Sequence, residues 1–352
     1  MFIGETIALG VAVSWTATAL FAEVASKRMG SLPLNTLRMT MSLALLFVTL
    51  WLTMGMPYPR YADGQTWLWL LLSGVVGYVI GDYCLMQGYI YIGSRFGQLF
   101  MNLSAPTAAL TGRLLLGEQM RPLAIIGMVV TLGGIAMSIL SKRSSRSQGV
   151  VGRADGIPQG VQDNTLGTKK AIKSITLSTT IPKRGIFFAA MAGICQGFGL
   201  VLSKIGLEHY DAAIAAAGVS QEVAPAEALL PLPLYLSVPF AATMIRATMG
   251  LIGFFALLAL FNKDWKEKLS HAVHDRKAMW CVLGATVFGP FIGVSASLLA
   301  TQYTSTGIAQ TLFSLTPVLI IAPAALLFHQ KVTVREVVGA VISVAGVCLF
   351  FI

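Results

Sequence analysis

The sequence predicts an all-α integral membrane protein, with ten transmembrane helices arranged as two inverted five-helix repeats. Three observations lead there. Of 352 residues, 55% are hydrophobic and 11% charged, and the mean hydropathy is +0.74. A soluble domain carries about a quarter of its residues as charged side chains, so this chain lacks the polar groups to cover a surface in water. Its apolar residues also fall into stretches close to the roughly 20 residues that a bilayer core demands of a helix. Finally, motifs of the first half return in the second in the same order.

Cut on that ruler, spans fall near 4–25, 34–55, 67–90, 97–117, 122–141, 185–206, 239–261, 279–300, 308–328 and 333–352. Met1-Phe2-Ile3-Gly4-Glu5 offers no positive region ahead of the first span, which is therefore expected to be a helix and not a secretory signal. Residues 142–184 hold nine Lys and Arg among Ser and Gly with no apolar period, a composition that predicts a flexible linker between repeats 1–141 and 185–352. Residues 207–238 carry Glu208, Asp211, Glu222 and Glu227 with Pro225, Pro231 and Pro233. They are expected to form an acidic loop with a short helix through Ala212–Ala217. Within 263–278, Trp265, Leu269, Ala272 and Val273 stand at helical spacing, as in a helix lying on the membrane surface.

Cys84, Cys195, Cys281 and Cys348 sit singly in four apolar segments, and His271 and His274 have no third ligand in view, so neither a disulfide framework nor a metal site is expected. No G-x-x-x-x-G-K-[ST] occurs, and no cofactor is called for.

The internal repeat is the most informative feature. Arg38 in Thr36–Met41 reads against Arg246 in Met244–Met249. Gln98 to Pro106 (QLFMNLSAP) reads against Gln310 to Pro317 (QTLFSLTP), and Glu118-Gln119 and His329-Gln330 follow twelve residues after each proline. Gly81 and Tyr91 match Gly293 and Tyr303, as Gly127 and Gly134 match Gly339 and Gly346. Five spans per repeat turn the second half over relative to the first, and inverted repeats of this kind mark secondary transporters.

These residues resemble the EamA-type members of the drug/metabolite transporter superfamily. The resemblance runs through Ser14-Trp15, then Pro33, Arg38, Ala44 and Leu45, and on to Pro106, Leu114-Leu115-Leu116-Gly117-Glu118, Pro122, Gly127 and Gly133-Gly134. It covers both halves apart from the linker and the acidic loop. The chain departs from the family pattern at Glu23, where a Lys is usual, and at His329, where the first half has Glu118. The resemblance implies transport of a small metabolite, with spans 1, 3, 4, 6, 8 and 9 around a central cavity.

The net charge of +10 invites a nucleic-acid reading, but the positions of the basic residues answer it. Turns after spans 1, 3, 5, 7 and 9 hold 19 of the 25 Lys and Arg, the opposite side holds Arg60, Arg121 and Lys204, and Arg38, Arg113 and Arg246 lie within spans. The positive-inside rule then places the 19 in the cytoplasm and both termini outside. The resemblance implies the reverse orientation. Either way the partner is the lipid bilayer of a cell membrane, a bacterial inner membrane, and not nucleic acid.

An ionisable group within the bilayer costs roughly 2.5–3.5 kcal/mol on insertion scales. Asp82, mid-span between glycines, is expected either to meet substrate or a proton in the cavity or to pair with an Arg. Glu23 is a second coupling candidate, or else a partner for Lys27 at i+4. Uncharged polar residues complete the candidate lining: Trp15, Thr18, Gln87, Gln98, Asn102, Gln196, Ser295, Gln310 and Ser314. The expected function is a secondary transporter of a small solute by alternating access, coupled to protons. A membrane enzyme on lipid-linked substrates and a receptor or assembly protein are the alternatives, and uptake or efflux in liposomes separates them.

Overall fold

The computed structural model describes residues 2–151, 183–320, 323 and 334–349. Every regular element among them is helical. In chain order they are α1 (Ile3–Met29), α2 (Ser31–Met54), α3 (Gly64–Gly74), a π-helical segment (Val75–Asp82), α4 (Tyr83–Met101), α5 (Ser104–Leu116) and α6 (Pro122–Val151). The second half gives α7 (Lys183–Ala216), α8 (Leu234–Phe261), α9 (Trp265–His274), α10 (Arg276–Thr286), a second π-helical segment (Val287–Phe291), α11 (Ile292–Tyr303), α12 (Thr306–Phe313), α13 (Thr316–Leu319) and α14 (Val334–Cys348).

Among the described residues six helices are long and apolar enough to cross a membrane: Ile3–Met29, Ser31–Met54, Gly64–Ser94, Lys183–Ala216, Leu234–Phe261 and Arg276–Tyr303. Shorter apolar helices at Pro122–Gly134 and Val337–Gly346 stand where the fifth and tenth spans are expected. Large apolar side chains such as Leu114, Leu260, Phe261 and Trp280 are more than two-thirds exposed. In water such a surface would be a liability, but against lipid it is the expected outer face.

The turns are very short. Gly30 alone separates α1 from α2, at φ 84°, and Gly93, at φ 78°, breaks α4 so that a new helical direction begins at Ser94. A side chain at either position would force a left-handed backbone that L-residues avoid.

Three expectations about the connecting segments are corrected. Helix α7 runs on through Glu208 and Asp211 to Ala216, because Leu207, Tyr210 and Ile214 bury one face at i, i+3 and i+7; the acidic loop shrinks to 217–233. Residues 142–151 continue α6, since Lys142, Arg143 and Arg146 are good helix formers, while 152–182 lie outside the described residues. The ninth span is not one helix. It breaks at Ser314-Leu315, between α12 and α13, and its end, with His329-Gln330, lies outside the described residues.

The packing exchanges first helices between halves. Helix α1 packs on α10, α11 and α12 of the second half, with Ser14 Oγ donating to the Phe288 carbonyl at 2.6 Å and Thr316 Oγ1 donating to Ala12 O at 3.3 Å. Reciprocally, α7 packs on α3, α4 and α5, where Ser73 Oγ donates to Gly199 O at 2.7 Å. Small residues let these backbones close: a Cβ on Gly199 would stand 3.1 Å from the Gly77 Cα. Helices α2 and α8 pair, as do α6 and α14.

Structural interruptions recur at matching positions. The π-helical segments begin at Val75 and Val287, and the breaks fall at Asn102-Leu103 and Ser314-Leu315. Pro290, which lacks an N–H, interrupts the second π segment's ladder. Inserted residues of this kind rotate the helix beyond them, and they concentrate at functional sites.

Candidate functional site

Between the two helix breaks lies a cavity lined by Trp15, Gln98, Asn102, Gln196, Arg246 and Gln310, with Ser104, Ser297, Ser314 and Thr316 beside them and Leu85, Met101, Leu200, Val294 and Phe313 forming its apolar wall. In this conformation its open volume is about 60 Å³, room for a few waters, so a metabolite-sized solute requires the walls to move apart. Non-helical backbone at membrane depth is tolerated only where protein or a water-filled cavity satisfies it. Asn102 and Ser314, at the two breaks, meet that condition.

Six of the ten lining candidates read from the sequence reach this cavity: Trp15, Gln98, Asn102, Gln196, Gln310 and Ser314. Several are held by neighbours. Gln98 Nε2 donates to Tyr89 Oη at 2.5 Å, and Gln310 Nε2 donates to Ser104 Oγ at 2.7 Å. Asn102 Oδ1 is buried without a hydrogen-bond partner. The other four lie elsewhere. Thr18 donates to Ser14 O at 3.0 Å within its own helix, Gln87 Nε2 donates to Ser31 Oγ at 3.0 Å, and Ser295 Oγ donates to Thr243 Oγ1 at 3.0 Å. Ser297, two residues on, takes the lining position in place of Ser295, because the π segment ahead of α11 sets the face that this helix presents.

Asp82 does not face the cavity; it sits one layer behind. Its carboxylate accepts from Gln196 Nε2 at 2.8 Å and pairs with Arg38 Nη1 at 3.4 Å, and both charged side chains are almost wholly buried. The pairing alternative is therefore the observed geometry, with the arginine supplied by α2. Gln196 bridges Asp82 to the cavity wall. Glu23 lies at the end of the bundle that holds Gly30 and Gly93. It accepts from Lys27 at 2.5 Å and from both the N–H and the hydroxyl of Ser94, which fastens the new helix start after Gly93.

The opposite end of the bundle is latched across the halves. Glu118 accepts from Lys204 Nζ at 2.6 Å, from Thr306 Oγ1 at 2.6 Å and from the Thr306 N–H at 3.0 Å. Arg113 takes no part in this cluster and is exposed. Arg60 pairs with Glu227 at 2.6 Å, which holds that carboxyl below its usual range and raises the guanidinium. Tyr210 Oη donates to Arg60 O at 2.5 Å, and Glu5 accepts from Thr304 Oγ1 at 2.8 Å. At the Gly30 end the ion pair between halves among the described residues is Arg28 with Asp275 at 2.7 Å, on the surface.

Arg246, Ser104 and Thr316 line the cavity but were not among the sequence candidates. Arg246 had a signal of its own, since it stands opposite Arg38 in the repeat. Its guanidinium lies over the Tyr78 ring at 5.0 Å.

Comparison with known proteins agrees with this architecture. The model of the EamA-like transporter family matches residues 2–140 and 235–352. Proteins named "Uncharacterized inner membrane transporter YhbE" in Escherichia coli K12 and in Shigella flexneri are each 32% identical over 117 residues. Those matches cover 32% of this chain and 34% of each relative, so the chain spans about a third of the length of the curated relatives it matches. One solved crystal structure superposes with a TM-score of 0.60 at 16% identity, over 99% of this chain and 95% of that one, which shows a shared fold.

Proposed function

Because the chain belongs to the EamA-like transporter family, we propose that this multi-pass membrane protein carries a small metabolite by alternating access, from a site in the cavity between the two helix breaks. The observation that carries this reading is the cavity itself, an apolar wall with convergent polar groups, lined from both halves where their helices are interrupted. Ten spans in two inverted repeats account for the matching positions of the π segments and breaks. In that arrangement Glu118, Lys204 and Thr306 close one mouth, and rocking of the halves would release them while the Gly30 end closes.

Its relatives are named as inner membrane transporters, and we assign this chain to a bacterial inner membrane, with the Gly30 end in the cytoplasm by the charge bias. Asp82, joined through Gln196 to the wall, supplies the route by which a proton would influence the site. Reconstitution into liposomes with a panel of radiolabelled metabolites tests the reading. Counterflow of at least one solute, lost on filling the cavity with Ser314→Trp, is expected; no movement of any solute by a well-folded protein would overturn it.

A further inference from the structure

The two arginines of the repeat occupy equivalent settings with one difference. A Cβ on Gly289 would meet Arg38 Nη2 at 3.1 Å, and a Cβ on Gly77 would meet Arg246 Nη2 at 3.0 Å. Gly77 and Gly289 lie in the two π segments and are separated by 212 residues, the spacing that also relates Thr131 to Ser343. Each arginine thus rests against the π segment of the other half. Arg38 has Asp82 and also donates to Asn35 Oδ1 at 2.8 Å. The residue 212 positions after Asp82 is Val294, an aliphatic side chain that lines the cavity.

Arg246 consequently has no carboxylate within ion-pair distance and no side-chain hydrogen bond among the described residues. Its exposure is 4%, its Nε has no partner, and only the Tyr78 ring touches its charge. Asp82 attracts it through space, but Asp82 is already bound to Arg38, so two buried guanidinium groups share one carboxylate. A buried cation without its counter-ion is costly, and here one negative charge is missing at the cavity wall. Beside it the unpartnered Oδ1 of Asn102 calls for a hydrogen-bond donor.

The geometry points to a solute bearing a single negative charge, a carboxylate in its simplest form, held by Arg246 as Asp82 is held by Arg38, and carrying an N–H or O–H toward Asn102. This rests on the cavity being the transport site. It makes Arg246 a specificity-determining residue and leaves cationic solutes excluded by like charge. A guanidinium donates two parallel hydrogen bonds to a carboxylate, so the fit also orients the solute.

The test uses the full chain purified in nanodiscs, with hydroxy- and amino-carboxylates as probes, each beside its carboxamide and the corresponding amine. Calorimetric binding of at least one carboxylate, about tenfold or more tighter than its carboxamide, is expected. Arg246→Gln should remove that preference. Val294→Asp, which installs the missing counter-ion and should fold at least as well as the parent, should weaken carboxylate binding by a similar factor. Equal binding of carboxylates and carboxamides, or undiminished carboxylate binding by a folded Val294→Asp protein, would overturn the assignment. Transport in liposomes separates the two proposals. Movement of amides or amines in preference to carboxylates sinks the anion assignment and leaves the transporter standing, whereas carboxylate binding without transport does the reverse.

Discussion

Thr131 and Ser343 each donate a hydroxyl hydrogen bond to the other's carbonyl oxygen, at 3.4 and 3.3 Å, where α6 crosses α14. Both are fully buried. The exchange is reciprocal, as expected of residues either side of a local two-fold axis. The glycines one turn on repeat it: a Cβ on Gly134 would lie 2.6 Å from Ser343 N, and one on Gly346 would lie 2.6 Å from Thr131 N.

Gly134→Ala should therefore push the two helices apart and lower stability by about 1–3 kcal/mol, the usual cost of overpacking. Gly133→Ala, where an added Cβ meets nothing within 4 Å, is the control and should be neutral or better. Thermal unfolding in detergent distinguishes them, and equal melting temperatures would remove the crossing as a tight contact.

Breaking the Glu118 latch should open the mouth it closes. In a Cys-free background carrying Ser297→Cys, adding Glu118→Gln should raise the labelling rate by a membrane-impermeant thiol reagent applied to intact cells. The loss of one partner from a mostly buried ion pair should also cost about 1–3 kcal/mol of stability, less than for full burial. An unchanged labelling rate would mean that Lys204 and Thr306 merely brace the turn.

Asp82→Asn leaves Arg38 without its counter-ion, and stability should fall by about 3–5 kcal/mol. Replacing both partners, Arg38→Met with Asp82→Leu, should recover much of that loss. If protons act through Asp82, the folded fraction of Asp82→Asn should show transport rates that no longer vary with pH. Preserved pH dependence would shift attention to Glu23.

Asp63 opens α3, and its carboxylate accepts from the Thr66 N–H at 2.8 Å and from the Thr66 hydroxyl at 2.6 Å. Those bonds hold its pKa below the ordinary carboxylate value. A depressed pKa contributes stability above the unfolded value, which is lost as pH falls through the folded one. Asp63→Ala should cost about 1 kcal/mol at neutral pH, typical of a lost cap. The difference from the parent should vanish in acid below the folded pKa.

Orientation is open to a direct measurement. A single cysteine at Ser147, in a Cys-free background, should be shielded from an impermeant reagent in intact cells and labelled after lysis. Labelling from outside would invert the topology without touching the cavity.

The parts of this architecture that depend on free energy per residue were legible in the sequence. Apolar length marked the six membrane-length helices, and the expense of polar side chains in lipid picked out Gln98, Asn102, Gln196 and Gln310 as wall residues. What depends on helix phase was not. The π segments re-aim everything beyond them, so Asp82 moves behind the wall and Ser297 displaces Ser295. Charge also masked periodicity in 207–216, where Glu208 and Asp211 drew attention from the buried Leu207, Tyr210 and Ile214. Arg246 was visible as a repeat partner of Arg38, but its meaning depends on Val294 standing where a carboxylate would close the pair.

The exchange of first helices bears on how the chain is made. Ser14 must find Phe288, 274 residues later, and Thr316 must reach Ala12 across 304. Synthesis proceeds from the N-terminus, and segments that leave the ribosome early ordinarily fold early. Helix α1 cannot complete its packing: beyond α2 and α4, its partners α10, α11 and α12 are translated late. Helix α7 meets α3 and α4 as soon as it is inserted. A chain inserted as far as residue 216 would therefore hold α3, α4, α5 and α7 together while α1, α2 and α6 still await their second-half partners.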